Sequence, residues 1–367
     1  MKFSITRDAF LGSLQPVAGV VEARQTLPVL SNVLLVLEQD ELAITGTNLE
    51  MELVNRTRPE SVEASGSATL PARKLTEIVR SLDEGAVVQV NADDERAVLT
   101  AGRSKFTLSA LPASEFPNTE EDAPHCQFEL EATKFKSLID RVAFSMAQQD
   151  VRYYLNGCLL EVTPEHLRLV ATDGHRLAMT TDSESRFAEE ALQAILPRKG
   201  VLELSRLLGD VDSAVSVALG TNHLRVSGDG YRFTTKLIDG KFPDYEQVLP
   251  RAADKEVTVE REPFRRGLAR VAILSNEKYR GVRILLNDNL MQLTANNPEQ
   301  EQAEEEVAIT YSGEQLEVGF NVSYIIEVLN TLQVEQVRLN LADPNSSALL
   351  QDPEDSSTLY VIMPMRL

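Results

Sequence analysis

The run Asp173-Gly174-His175 sets a carboxylate two residues from an imidazole, the residue types of general acid–base chemistry. Such a site also needs a nucleophile, and the chain holds no nucleophile-elbow sequence. Runs at matching places, Asn48-Leu49-Glu50 and Asn297-Pro298-Glu299, keep turn-forming residues but not the chemistry. A repeated strand-end turn accounts for all three. The histidines His125, His166, His175 and His223 show no metal-ligand spacing. The acidic run Glu299 to Glu306 lacks the glycine and the alternation of a calcium loop. Neither a P-loop nor a GxGxxG segment occurs, so an ATP-driven step would belong to a partner. The expectation is no catalytic residue, no metal and no cofactor. A hydrolase is the second reading, separable by activity screens. A protein scaffold that holds no DNA is the third, separable by retention on circular against linear DNA.

Phosphate contact is the chemistry other residues can do. In Leu196–Leu208, LPRKGVLELSRLL, Lys199 and Arg206 stand seven apart, two helical turns, and share a face. Val201, Leu204 and Leu208 fall at i, i+3, i+7 and share another, buried one. Arg73 and Arg80 repeat the spacing in a helix opened by Leu70-Pro71-Ala72-Arg73-Lys74, with Leu75, Ile78, Val79 and Leu82 on its apolar face. Pro71 and Pro197 suit helix starts, where a missing N–H costs nothing. Phe320-Asn321-Val322-Ser323 opens a third such helix, with Ile325, Val328, Leu329 and Leu332. It carries Ser323 and Asn330 where the others are basic, so its contact should be weakest.

These helices belong to a threefold repeat. Pro71, Pro197 and Asn321 are separated by 126 and 124 residues. Phe3, Phe10, Leu14 and Val17 are matched in spacing by Phe128, Phe135, Ile139 and Val142, and again by Val257, Phe264, Leu268 and Val271. A hairpin follows each: Val33–Leu37 with Leu42–Thr47, Cys158–Val162 with Leu167–Ala171, and Val282–Leu286 with Leu290–Thr294. After each second helix come three short strands. These are Val87–Val90, Val98–Ala101 and Phe106–Ala110; Val215–Leu219, Leu224–Ser227 and Phe233–Ile238; and Val337–Leu341, Ala348–Gln351 and Leu359–Met363. The expected class is α+β: three tandem units of two helices and antiparallel strands, over residues 1–120, 127–247 and 254–367.

Charge is distributed unevenly over this plan. The predicted helices 7–21, 72–82, 133–149, 198–208, 261–274 and 322–332 carry net charges of 0, +2, +2, +2, +3 and -1. They total +8 in a chain of net charge -20, which leaves -28 for the rest. A positive helical lining under an acidic exterior would touch phosphates without reading bases, and hold duplex DNA loosely enough to slide. The bland alternative is that basic residues simply favour helices. With 367 residues, 43% apolar and 25% charged, the chain can bury two or three cores. No signal peptide and no membrane span is read. Cys126 and Cys158 fit no redox or metal spacing, which points to a reducing cytoplasm.

Five runs carry a family resemblance. They are Gln148-Gln149-Asp150-Val151-Arg152-Tyr153-Tyr154-Leu155-Asn156-Gly157, Ala171-Thr172-Asp173-Gly174-His175-Arg176-Leu177, Leu274-Ser275-Asn276-Glu277-Lys278, Thr294-Ala295-Asn296-Asn297-Pro298-Glu299-Gln300 and the ending Met363-Pro364-Met365-Arg366-Leu367. Together they resemble the bacterial DNA polymerase III β subunits, the sliding clamps, over the full chain. The resemblance implies a ring of two head-to-tail protomers around duplex DNA, with helices lining the hole and sheets outside. It implies partners: polymerase subunits and an ATP-driven clamp loader, docked through short apolar peptides in a groove between the second and third units.

Carried over residue by residue, the groove comprises Arg152, Leu155, Thr172, Gly174, His175, Arg176, Leu177, Pro243, Val248, Ser347, Val361, Met363, Pro364, Met365 and Arg366. Methionine is unbranched and polarizable, so Met363 and Met365 could adapt to several ligands; ordinary strand packing is their other reading. Gln247 stands where well-known members carry a basic residue, and Pro344-Asn345 replaces a more apolar stretch, which bears on the rim and on ligand ranking. DNA positions carried over are Arg24, Arg73, Gln149, Tyr153, Tyr154, Arg198, Lys199, Arg206 and Arg283; taken alone, the two tyrosines read as core. The subunit contact would use Lys74, Arg103, Phe106 and Leu108 against Ile273 and Leu274, with Glu299, Glu301, Glu304 and Glu305 facing the basic side. A solvated loop is the other reading of that acidic run.

Overall fold

Three strands run directly into helices, and the same four apolar positions tie each pair together. Phe3, Phe10, Leu14 and Val17 are buried, as are their eight counterparts in the two later copies. The Phe3 and Phe10 rings meet edge to face, 6.3 Å apart. The computed structural model describes residues 1–22, 27–117, 119, 122–184, 187–209, 211–250 and 254–366.

The first series is β1 (Lys2–Thr6), α1 (Arg7–Val20), β2 (Asn32–Glu38), β3 (Glu41–Thr47), β4 (Met51–Thr57), β5 (Ser61–Ala64), β6 (Gly66–Pro71), α2 (Ala72–Ser81), β7 (Val87–Ala92), β8 (Arg96–Ala101) and β9 (Ser104–Ser109). The second is β10 (Cys126–Glu131), α3 (Ala132–Val142), β11 (Gly157–Val162), β12 (Leu167–Thr172), β13 (Arg176–Asp182), β14 (Leu192–Pro197), α4 (Arg198–Leu208), β15 (Ala214–Leu219), β16 (His223–Gly228) and β17 (Tyr231–Lys236). The third is β18 (Lys255–Glu260), α5 (Arg261–Val271), β19 (Gly281–Asn287), β20 (Leu290–Asn296), β21 (Gln302–Thr310), β22 (Leu316–Asn321), α6 (Val322–Thr331), β23 (Gln336–Leu341), β24 (Ala348–Gln351) and β25 (Thr358–Ile362). The class is α+β with antiparallel sheets. No described helix is long and apolar enough to cross a membrane.

The chain forms two compact units. One comprises residues 1–136 and 202–237 and holds two sheets, β5-β1-β7-β8-β9 and β10-β15-β16-β17-β4-β3-β2-β6. The other comprises residues 137–201 and 238–367 and holds one twelve-stranded sheet, β14-β11-β12-β13-β25-β24-β23-β18-β21-β20-β19-β22. The predicted hairpins are β2-β3, β11-β12 and β19-β20. Two strand junctions recur. In the first unit β17 pairs with β4, and in the second β25 pairs with β13, each joining a late strand to one more than a hundred residues away in sequence.

Several boundaries depart from expectation. The helix expected over 133–149 ends at Val142, and a 3-10 turn at Ala143–Ser145 follows. Two arginines take the carbonyls freed there: Arg176 Nη2 donates to Phe144 O at 2.9 Å and Arg198 Nη1 to Met146 O at 3.1 Å. Likewise α5 stops at Val271, and Ala272–Leu274 is a 3-10 turn. Pro71 and Pro197 close strands rather than open helices. The acidic run is strand from Gln302, not loop. Its exposed face carries Glu304 and Glu306 and its inner face Glu305, so both faces read as charged.

Candidate peptide groove and nucleic-acid-facing residues

In the second unit, one face of the β11-β12-β13-β25 sheet is apolar. Leu155, Leu159, Val170, Leu177, Ile195 and Val361 form a buried cluster there, with Phe242 and Tyr245 beside it. Tyr154, Val248 and Leu249 are partly buried against the same cluster. Gly157 permits the closeness of β11 and β14: a Cβ there would meet Leu196 O at 2.4 Å. The predicted groove residues Leu155, Leu177, Val248 and Val361 are thus brought together.

Around this floor the Thr172–Arg176 turn is closed by its own side chains. Thr172 Oγ1 donates to Arg176 O at 2.6 Å and accepts from Gly174 N at 3.1 Å. Asp173 Oδ1 accepts from the His175 and Arg176 amides at 2.9 and 3.1 Å, and its Oδ2 from Arg176 Nε at 3.2 Å. That carboxylate is occupied as a turn cap, as the strand-end reading of Asp173-Gly174-His175 requires. Gly174 has φ +89°, a left-handed conformation, and the Arg152 guanidinium lies 2.9 Å from where its Cβ would be. Arg152 is held there by Asp150 through Nε at 3.0 Å and Nη2 at 2.9 Å, which lowers the Asp150 pKa to about 2.

The tail closes the floor's far side. Met363 N donates to His175 O at 2.9 Å and Met365 N to Gly319 O at 2.8 Å. Met363 itself is 37% exposed, Pro364 and Met365 are half-buried, and Arg366, Pro243 and His175 are exposed. Ser347 is half-buried beside β24. Gln247 donates to Asp244 Oδ2 at 2.8 Å.

Arg176 is a correction. Expected on a rim, its side chain is buried between the rings of Phe144 and Tyr324, at 5.1 and 4.6 Å, and bonded to Glu327 and Phe144 O. It fastens β13 to α6 and to the end of α3. Phe144, Tyr324, Glu327, Phe242 and Tyr245 also line this region, without a local sequence signal for the first three and Tyr245. For Phe242 a signal existed, since Phe242-Pro243-Asp244 repeats Phe116-Pro117-Asn118.

The nucleic-acid candidates divide. Arg24 lies outside the described residues. Arg73 is highly exposed and bonded to Glu77 at 2.9 Å, one turn on. Lys199 and Gln149 are exposed, Gln149 with φ +56°. Tyr153 is 57% exposed, against its core reading. Tyr154 instead lies half-buried on the groove cluster, and Arg198, also half-buried, donates to Met146 O. Arg206 is bonded to Glu203 and to Pro16 O at 3.2 Å. Arg283 pairs with Glu317 at 3.0 Å. Helix cations therefore sit mostly beside carboxylates that a phosphate would have to displace.

Of the contact candidates, Ile273 is 77% exposed and Leu274 and Phe106 half-buried, whereas Leu108 is buried within its own sheet. Lys74, Arg103, Glu299, Glu301 and Glu304 are exposed. Glu305 is already paired, accepting from Arg270 Nε and Nη2 at 2.8 and 2.7 Å.

Sequence comparison matches residues 1–120, 129–244 and 246–366 to the N-terminal, central and C-terminal domains of the DNA polymerase III beta subunit. The beta sliding clamps of Pseudomonas putida KT2440 and Escherichia coli K12 are 53% and 47% identical to the chain, each with complete coverage of both proteins. The solved sliding clamp of Pseudomonas aeruginosa bound to griselimycin superposes with a TM-score of 0.97 at 53% identity over the whole of both chains. The Caulobacter crescentus beta sliding clamp superposes at 0.96 with 38% identity, covering 100% of this chain and 99% of that one. The chain belongs to the bacterial DNA polymerase III β-subunit family, the DNA sliding clamps that confer processivity on the polymerase and are not enzymes.

Proposed function

We propose that two copies of this chain close head to tail into a cytoplasmic ring around duplex DNA, each contributing three domains over 1–120, 127–247 and 254–367. The observation that carries this reading is a repeated strand junction with one instance missing. Phe233 on β17 stands opposite Leu53, and Tyr360 on β25 opposite Ala178. Hairpin register makes Phe106 on β9 the counterpart of Phe233 and Tyr360, since these face Leu99, Val226 and Leu350. Within one chain β9 ends its sheet, and β21, the counterpart of β4 and β13, pairs with β18 only at Val259 and Thr258. The free edge of β9 and the 302–308 stretch of β21, which lacks a partner on its β18 side, match an existing junction and invite pairing between copies. The inherited register sets Phe106 opposite the partner subunit's Ala303 and Lys105 opposite the partner subunit's Glu304. Phe233 and Tyr360 are buried where Phe106 is not, which supports burial of Phe106 in the same way. A recess of about 560 Å³ lies beside β21, lined by Arg266, Arg270, Glu305, Val307 and Ile309 among others, next to the edge that the partner subunit would cover.

A head-to-tail contact closes only if its rotation divides the circle, and three similar domains per copy make two copies pseudo-sixfold. Arg24, Arg73, Gln149, Tyr153, Lys199, Arg206 and Arg283 are the proposed DNA contacts. Polymerase subunits and an ATP-driven loader would dock by short apolar peptides on Leu155, Leu177, Val248 and Val361 against Met363, Pro364 and Met365. A few buried anchors carry most of such an interface's energy. Griselimycin is proposed to occupy this same groove.

Sedimentation equilibrium tests the ring. The native chain should be a dimer. Ile273→Ala with Leu274→Ala should lose about 2–5 kcal/mol per buried site and sediment as monomer. A double variant that stays dimeric would move the contact elsewhere. Calorimetry tests the groove: a chain lacking 363–367 should remain dimeric and lose griselimycin binding.

A further inference from the structure

The apolar floor is also covered by the segment 242–249, which forms a 3-10 turn over Tyr245–Val248 and whose last backbone pairing with the sheet before it is the bridge between Ile195 and Ile238. Phe242, Tyr245, Val248 and Leu249 all lie against the apolar cluster. Tyr245 spans two chemistries. Its ring is in that cluster, while its hydroxyl reaches the polar end of the same sheet face. The hydroxyl accepts from Arg168 Nη1 at 2.8 Å and donates to Glu161 Oε1 at 3.2 Å.

Glu161 and Arg168 are cross-strand partners on β11 and β12, on the face that carries Leu159 and Val170. Arg168 is fixed by Glu161 Oε1 at 3.2 Å and by Thr181 Oγ1 at 3.0 Å. The Glu161 carboxylate also accepts from His166 Nε2 at 2.9 Å and Gln193 Nε2 at 2.7 Å. Both side chains are mostly buried, and four donors on one carboxylate leave it no freedom of position. This rigid pair fixes the polar end of Tyr245, whose ring is packed with Phe242 in the apolar cluster.

We propose that Glu161 and Arg168 are positioning residues for peptide capture: through the Tyr245 hydroxyl they set the separation between the 242–249 wall and the floor of Val170, Leu177 and Val361. Neither touches the ligand. The inference rests on the reading of this groove as the docking site.

Tyr245→Phe keeps the ring and its burial and deletes both bonds. Calorimetry on the full-length protein with griselimycin as probe should show binding about tenfold weaker, the scale of one lost hydrogen bond to a charged group. Faster dissociation should account for most of it. Arg168→Met should weaken binding similarly, and the double variant no further, because both act through one contact. Glu161→Gln keeps an acceptor and should restore most of the affinity that Glu161→Ala loses. A purely structural role would lower thermal stability in all variants without this shared, non-additive loss. Binding by Tyr245→Phe as tight as that of the wild type, or losses that multiply in the double variant, overturns the inference and leaves the groove intact. A wild-type protein that does not bind the probe overturns the groove reading, and this inference with it.

Discussion

Arg176 shows what single residues conceal in a sequence. Its place in the Thr172–Leu177 run suggests a rim. Its partners Phe144, Tyr324 and Glu327 come from elements 32 to 151 residues away, so nothing local marks it as buried. Arg176→Ala would take the donor from the Phe144 carbonyl and from Asp173 Oδ2, while the half-exposed Glu327 turns to solvent, and should cost about 1–3 kcal/mol of unfolding stability in urea titrations. His175→Ala, at an exposed position, should change it by less than about 0.5 kcal/mol. Glu161 makes a pH prediction. Burial pushes its carboxyl up, but bonds from His166 and Gln193 and the charge of Arg168 outweigh that and hold it below its ordinary value of 4.5. A folded pKa below the unfolded one gives stability that is complete above the unfolded value and lost as pH falls through the folded one. Glu161→Gln should therefore be less stable than the wild type at pH 6, by about 1–3 kcal/mol. The gap should narrow at more acid pH. A gap that widens in acid would contradict the assignment.

At the scale of elements, the sequence was legible where burial is periodic and local. The +7, +11, +14 spacing found three strand–helix pairs because all twelve residues face one core each. The hairpins were legible because turn residues separate β-branched runs. Strands β4, β13 and β21 were not. In β13 six of seven residues are buried, so alternation vanishes, and in β21 glutamates occupy both faces. Their partners across the junctions, β17 and β25, lie far along the chain. These unread strands are the ones on which the proposed assembly rests. The proposed junction predicts a cross-link: Phe106→Cys with Ala303→Cys should form a disulfide between copies under mild oxidation, because directly opposed residues lie within disulfide reach. Phe106→Cys with Ala308→Cys, displaced by about 16 Å along the strand, should not. Equal yields from the two pairs would refute the register.

For the whole molecule the decisive quantity is where charge sits. The predicted helices carry +8 and the remainder -28, and most helix arginines are held by nearby glutamates, as Arg265 and Arg266 are by Glu262. Those two arginines pull the Glu262 pKa down to about 2, so the pairs persist throughout the neutral range. A phosphate approaching Arg73, Arg206 or Arg283 would have to compete with a carboxylate already in place. Direct affinity for a short duplex should accordingly be weak and fall steeply with salt. Persistence on DNA is then expected to come from topology rather than from affinity. The most direct measurement loads the protein onto a nicked circular plasmid with the loader and ATP, then linearises half of the sample and passes both halves through a sizing column in high salt. The protein should co-elute with the circle and be lost from the linear DNA. Equal retention on both forms would rule out a topological hold.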